Sequence, residues 1–252
     1  MKHAFALRLL CLVLLSILLC QCKSNHKEQQ PALTAPSFSQ KTISKKIGDC
    51  TNDKRCVALF IKYPLYSDTS TTIATAINED IKAQIIAALD LEDTPDDMAL
   101  AQAAQLWVDS YAEYLDENQD EELIFTFKLE GSGHIHKDIA RVELSHYSFI
   151  GNSKSLRYTT YSNYDLHSGE DLELHQALKD LPAFKALAKE AFEKAIAAKG
   201  HRMKDYFWGK GFYLPANFSL SEKGIQLFYN PGEIAPPEIG TTELLIPIEW
   251  DK

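Results

Sequence analysis

The chain has 252 residues, of which 45% are hydrophobic and 24% charged. That is an ordinary globular composition, long enough to bury one core of about 200 residues or two smaller halves. A net charge of −9 argues against nucleic acid or an anionic membrane surface as partner, and suits a cationic one.

Met1 to Cys22 reads as a targeting segment. Lys2 and Arg8 supply a positive start, and Leu9 to Leu19 is an apolar run too short for a comfortable membrane span. Its end, Leu19-Cys20-Gln21-Cys22, resembles a lipoprotein signal with Cys22 as the lipidated residue. An ordinary cleaved signal peptide is the alternative. Loss of Lys2 and Arg8 with the leader takes the charge from −9 to −11. No acidic pair follows Cys22, which leans towards the periplasmic side of the cell envelope.

Lys23 to Lys46 is rich in Ser, Gln, Lys and Pro, and reads as a flexible tether. Cys50 and Cys56 are the even pair left after the leader, Cys22 included, is set aside. In an oxidising compartment they close a small disulfide loop, with free thiols or a metal site as alternatives. Cys56 to Tyr63 alternates like a strand and is expected to stop at Pro64. Ile73, Ile77, Ile81 and Ile85 then recur at helical spacing, capped by Thr71 or Thr72, with Asn78, Asp80, Lys82 and Gln84 outward. A second helix runs from about Met98 to Leu115.

From Glu121 the apolar period becomes two. Leu123, Phe125, Phe127 and Leu129 share one face, Gly131-Ser132-Gly133 is expected to turn the chain, and strands follow through Ala140–Leu144 and Leu156–Thr160. This is an antiparallel meander. His134, His136 and His146 fall on it and read as surface or edge histidines, because a His-x-His pair lacks a third ligand here. Phe184, Leu187, Ala188, Ala191, Phe192, Ala195 and Ile196 form a helical stripe, started by Asp180 with Pro182 and ended by Lys199-Gly200.

The last stretch alternates strand patterns with turn residues. Asn217–Leu220 and Ile225–Tyr229 are strands around a turn at Ser221–Gly224, and Leu244, Ile246, Ile248 and Trp250 alternate after a loop from Asn230 to Gly240. That loop carries three prolines and two glycines, more rigidity than a connection needs. Tyr229, Glu233, Ile234 and Pro236 are its candidate binding residues. In the other reading Glu233 caps loop amides and Tyr229 packs in the core beside Ile225 and Leu227.

Asn217-Phe218-Ser219-Leu220, Gly224-Ile225-Gln226-Leu227-Phe228-Tyr229, Glu233-Ile234-Ala235-Pro236, Gly240 and Ile246-Pro247 together resemble the C-terminal domain of the anti-sigma factor V type. Tyr147-Ser148-Phe149 and Tyr164–Gly169 extend the likeness, and the preceding half more loosely resembles that domain's usual companion. This domain of unknown function also occurs beside polysaccharide deacetylases and in Bacteroidetes-type lipoproteins. The resemblance implies a leader at 1–22, a linker at 23–46, an N-terminal half at 47–146 and a C-terminal half at 147–252. The fold class expected is α+β, an antiparallel sheet packed on a few helices.

No phosphate loop, nucleophile elbow or metalloprotease helix appears in the sequence. Acidic runs such as Asp120–Glu122 and Asp96–Asp97 read as solvated turns. The expectation is a non-catalytic envelope lipoprotein without cofactor or metal. The resemblance implies a peptidoglycan fragment or a lysozyme-like protein as ligand. An enzyme acting on wall polysaccharide is the alternative.

Overall fold

The computed structural model describes residues 35–250, apart from 93, 96 and 152. The proposed leader and Cys22 lie outside them. The fold is α+β: a five-stranded sheet and a three-stranded sheet with three helices.

In order, the elements are β1 (Ser37–Ile47), β2 (Cys56–Ser67), α1 (Thr71–Ala88), α2 (Leu100–Glu117), β3 (Ile124–His136), β4 (Ile139–Ile150), β5 (Leu156–Asp165), α3 (Leu181–Ala198), β6 (Phe218–Ser221), β7 (Gly224–Tyr229) and β8 (Thr242–Ile246). The large sheet runs β1-β2-β3-β4-β5 and the small one β6-β7-β8. Every pair is antiparallel except β2–β3, which is parallel and connected through α1 and α2.

The expected tether is a strand from Ser37 onward. β1 pairs along its length with β2, and Phe38 and Ile43 pack on the first core, so two apolar side chains suffice to hold a mostly polar segment. The strand through Cys56 also outlasts Pro64. Pairing of β2 with β3 ends at Lys62–Glu130, while pairing with β1 continues to Ser67. Proline removes one donor, so it ends one ladder and leaves the other. Gln40 Nε2 donates to the Gly131 carbonyl beside it at 3.3 Å.

Gly131-Ser132-Gly133 is not a turn but the interior of β3. A Cβ at Gly133 would meet the Phe38 ring at 2.4 Å, and one at Gly131 would meet Pro64 Cδ at 2.8 Å. These glycines admit close neighbours. The chain reverses instead at Lys137-Asp138, where Lys137 has φ 52°.

Ser70, rather than a threonine, caps α1, its Oγ accepting from Ile73 N at 3.4 Å. The polar residues of α1 turn partly inward. Asn78 bonds both backbone groups of Tyr66 at 2.8 Å, and Tyr164 donates to Asp80 Oδ2 at 2.6 Å. Asp180 caps α3 as expected, accepting from Ala183 N at 2.9 Å.

Cys50 and Cys56 form a disulfide. By loop closure alone so short a ring contributes about 2 kcal/mol. It also positions Arg55, whose guanidinium donates to the carbonyls of Leu115, Asn118 and Glu121 at the end of α2. The Leu115 and Asn118 carbonyls already accept from Asn118 N and Glu121 N at 3.2 Å, so the guanidinium adds a charged partner at the negative end of the helix dipole.

There are two cores. α1 and α2 pack on one face of the large sheet around Trp107, Phe127, Ile77 and Ile81. The second gathers α3 and the small sheet around Phe192, Phe207, Tyr229 and Leu227. The boundary expected between 146 and 147 falls inside β4. Ala140, Val142, Leu144 and Tyr164 belong to the first cluster, while Ile139 on the other face of β4 joins Leu172 and the C-terminal residues in the second.

Candidate functional site

Side chains alternate along β3, β4 and β5. One face carries the first core; the other is polar, with Lys128, Glu130, His134, Arg141, Glu143, Tyr147, Arg157 and Tyr161 in register. The small sheet lies over part of this polar face, and a cleft of about 690 Å³ opens between them. Buried Ile139 and Leu220 form its apolar base. His134, His136 and Arg141 come from the large sheet. Glu222 and Lys223 come from the β6–β7 turn, and Gln226 and Glu243 from β7 and β8.

Arg141 is half-buried there. Its Nη1 donates to Ser219 Oγ at 3.3 Å, and its Nε is enclosed without a partner. Among the described residues no carboxylate comes within ion-pair distance of it. Gln226 Nε2 donates to Glu243 Oε2 at 2.8 Å, and His136 Nδ1 lies 3.3 Å from Glu222 Oε1. Beyond Arg141, burial pushes the Tyr161 hydroxyl up to about 12, reinforced by Glu143 and Glu243 and opposed by Arg141. The cleft thus offers two cations, Arg141 and Lys223, two carboxylates, Glu222 and Glu243, and the Gln226 amide over an apolar base, a few polar groups on an apolar floor as in a recognition site.

A second recess, about 640 Å³, lies on the far side of the Glu143–Tyr161 pair. Lys128, Tyr147 and Arg157 line it, with the Arg157 guanidinium over the Tyr147 ring at 4.4 Å. The loop from Asn230 reaches this recess through Asn230, Pro231 and Gly240.

The four residues singled out in that loop do not converge on either recess. Tyr229 and Ile234 are in the second core, so they present no face to a ligand. Tyr229 donates to the Tyr213 carbonyl at 2.6 Å. Pro236 is exposed. The Glu233 carboxylate accepts from Asn230 N at 2.9 Å and closes the turn, while the Glu233 carbonyl accepts from Trp208 Nε1 at 3.0 Å. Burial raises the Glu233 carboxyl pKa, opposed by that amide. The loop's rigidity serves its own packing.

His134 is exposed and His136 partly so, but His146 is buried, 5% exposed. Its position in β4 alternates onto the helix-covered face, where its ring lies 4.8 Å from Phe127 and 4.4 Å from Tyr158. Burial pushes its pKa from 6.5 down to about 4. A base held neutral this way binds fewer protons than the unfolded chain between those values, so stability falls as pH falls through that window. Relative to a His146→Phe variant, the protein should lose roughly 2 kcal/mol between about pH 7 and about pH 5. Denaturant unfolding of both at each pH measures this; parallel losses would contradict it.

Among the described residues no three His, Cys, Asp or Glu side chains gather to hold a metal ion, and no helix is long and apolar enough to cross a membrane. Of the acidic runs, Glu122 pairs with Lys54 at 2.6 Å on the surface, and Asp96 lies outside the described residues.

The architecture is an α+β fold shared with two solved structures. A member of the DUF3298 family from Bacteroides fragilis NCTC 9343 superposes with a TM-score of 0.64 at 17% identity, covering 86% of this chain and 94% of that one. A DUF3298 family protein from Pseudomonas aeruginosa PAO1 gives 0.60 at 20% identity, covering 84% and 91%. Residues 170–249 match the family described as "Protein of unknown function (DUF3298)". The matched segment holds α3 and the small sheet, and so most of the second core. No curated protein matches the chain.

Proposed function

We propose that this is a non-catalytic binding protein of the cell envelope, lipid-anchored at Cys22 on the periplasmic side, whose cleft takes a carboxylate-bearing fragment of wall glycan. The observation that carries this reading is Arg141, half-buried at the cleft, whose enclosed Nε has no partner and whose guanidinium forms no ion pair among the described residues. Such a guanidinium favours a ligand carboxylate by a charge-assisted bond. The disulfide suits an oxidising compartment. The likeness to the anti-sigma V type also suggests a lysozyme-like partner. A basic protein would be repelled by Arg141, so that partner belongs on the acidic exterior rather than in the cleft.

Calorimetric titration with purified muropeptides tests this. Binding is expected, with Arg141→Ala weakening it by about tenfold or more. Lysozyme affinity should not respond to Arg141. Binding of lysozyme alone, or release of soluble products from peptidoglycan, would replace the glycan-binding reading with the corresponding other.

A further inference from the structure

On the opposite, helix-covered face of the large sheet is a cavity of about 380 Å³. Four aromatic side chains line it: Trp107 and Tyr111 from α2, Phe127 from β3 and Tyr158 from β5. His146 joins them. With centroids 4.4 to 5.8 Å apart, the five rings run Tyr111, Trp107, Phe127, His146, Tyr158 as one continuous wall. That volume lies within the range of natural small-molecule pockets, towards the lower end, and admits a single-ring ligand.

His146 is the anomaly in this wall. Both ring nitrogens are enclosed, and neither has a protein partner among the described residues. A neutral imidazole carries one N–H donor and one acceptor lone pair, and burying both unpaired is unfavourable. A group retained at that cost inside an aromatic cavity has the make-up of a specificity element: apolar walls and one convergent polar handle. Asp90 and Lys154 both stand at the lining, so neither an anion nor a cation gains from the local charge.

We propose that this cavity is a binding site for a small neutral aromatic molecule bearing a single hydroxyl or N–H group, which hydrogen-bonds to His146 while its ring packs against Trp107, Phe127 and Tyr158. The site is separate from the Arg141 cleft, on the other face of the sheet, and stands or falls independently of the glycan reading.

Phenol and toluene are near-isosteric probes that differ in the hydroxyl. Titrated into the wild-type protein and followed by nuclear magnetic resonance of the histidine rings, phenol should move the signals of His146, the imidazole with the depressed titration, and toluene should bind more weakly. In His146→Phe the preference for phenol over toluene should fall by about tenfold, the value of one hydrogen bond. His146 signals unmoved by phenol, or an unchanged preference in the variant, would overturn the proposal; a cavity that holds only water gives the first result. Should His146→Phe fold poorly, the wild-type ring signals decide alone.

Discussion

Gly224→Ala should unfold the protein at temperatures where the wild type is intact. Gly224 opens β7 after the two-residue β6–β7 turn, at φ 122°, a conformation that L side chains rarely adopt. A Cβ there would stand 2.1 Å from the Ile246 carbonyl oxygen and 3.0 Å from Ile248 N. Both are backbone atoms of β8 and its continuation, so no rotamer change relieves the contact. β8 must move, and with it Leu244, Ile246 and Trp250, which are buried in the second core. Trp250 would also lose its bond to the Ser221 carbonyl, now 2.9 Å. Together the strain and the displaced core should cost roughly 3 kcal/mol or more, a fall in Tm of about 6–12 °C. Gly200→Ala is the control. Its φ is 79°, but nothing lies within 4 Å of its Cβ, so only about 1 kcal/mol is expected. Equal melting of the two variants would show that the contact with β8 is not what fixes glycine at 224.

Asn163→Ala is expected to be nearly as damaging, for a different reason. Among the described residues no strand pairing joins the two sheets. Side-chain amides do the work of a ladder between β5 and the C-terminal segment. Asn163 Nδ2 donates to the Phe218 carbonyl at 2.9 Å, and its Oδ1 accepts from Leu220 N at 2.8 Å. Asn217 Oδ1 accepts from Tyr161 N at 2.8 Å, and its Nδ2 donates to the Thr159 carbonyl at 2.7 Å. Asn230 bonds both backbone groups of Thr159 at 2.7 and 3.0 Å. Asn163 is fully buried, so its loss leaves a donor and an acceptor of β6 with no water to replace it. At about 1–3 kcal/mol per stranded group, roughly 3 kcal/mol is expected from denaturant unfolding. Leucine at 163 fills the volume without the amide and should not rescue. Full rescue by Leu would mean that packing, not the two bonds, joins the sheets.

Much of this fold was legible because period and punctuation agree. Ile73–Ile85 and Phe184–Ile196 mark their helices, and Asp180-Pro182 with Lys199-Gly200 brackets the second of them. What the sequence hid are contacts between segments far apart. Gly131 and Gly133 look like a turn until Pro64 and Phe38 are placed against them. His146 sits at an alternate position with Val142 and Leu144, a signal that it points inward, but its chemical type suggested the surface. Arg141 alternates with apolar Ala140 and Val142, so its place on a polar face was readable. That the small sheet would cover this face was not, because the three asparagines that bring it there have no local pattern. The loop at Asn230–Gly240 allowed two readings for the same reason: proline content reports rigidity without saying whether it serves a ligand or the loop's own packing.

β1 has one further consequence. Among the described residues it is the outermost strand of the large sheet, and no described strand pairs with its outer side, on which another chain could extend the sheet. Lys41, Lys45 and Lys46 stand along it. The charges guard the boundary against self-association, as lysines do on natural sheet edges. β2 behind it has no such protection: Val57, Leu59, Ile61 and Tyr66 are fully or almost fully buried, and Lys62 is its single charge. A chain beginning at Gly48 would keep most of both cores yet turn this apolar strand into the sheet's margin. Eleven residues of unremarkable, polar sequence thus keep an apolar strand from the margin of the sheet.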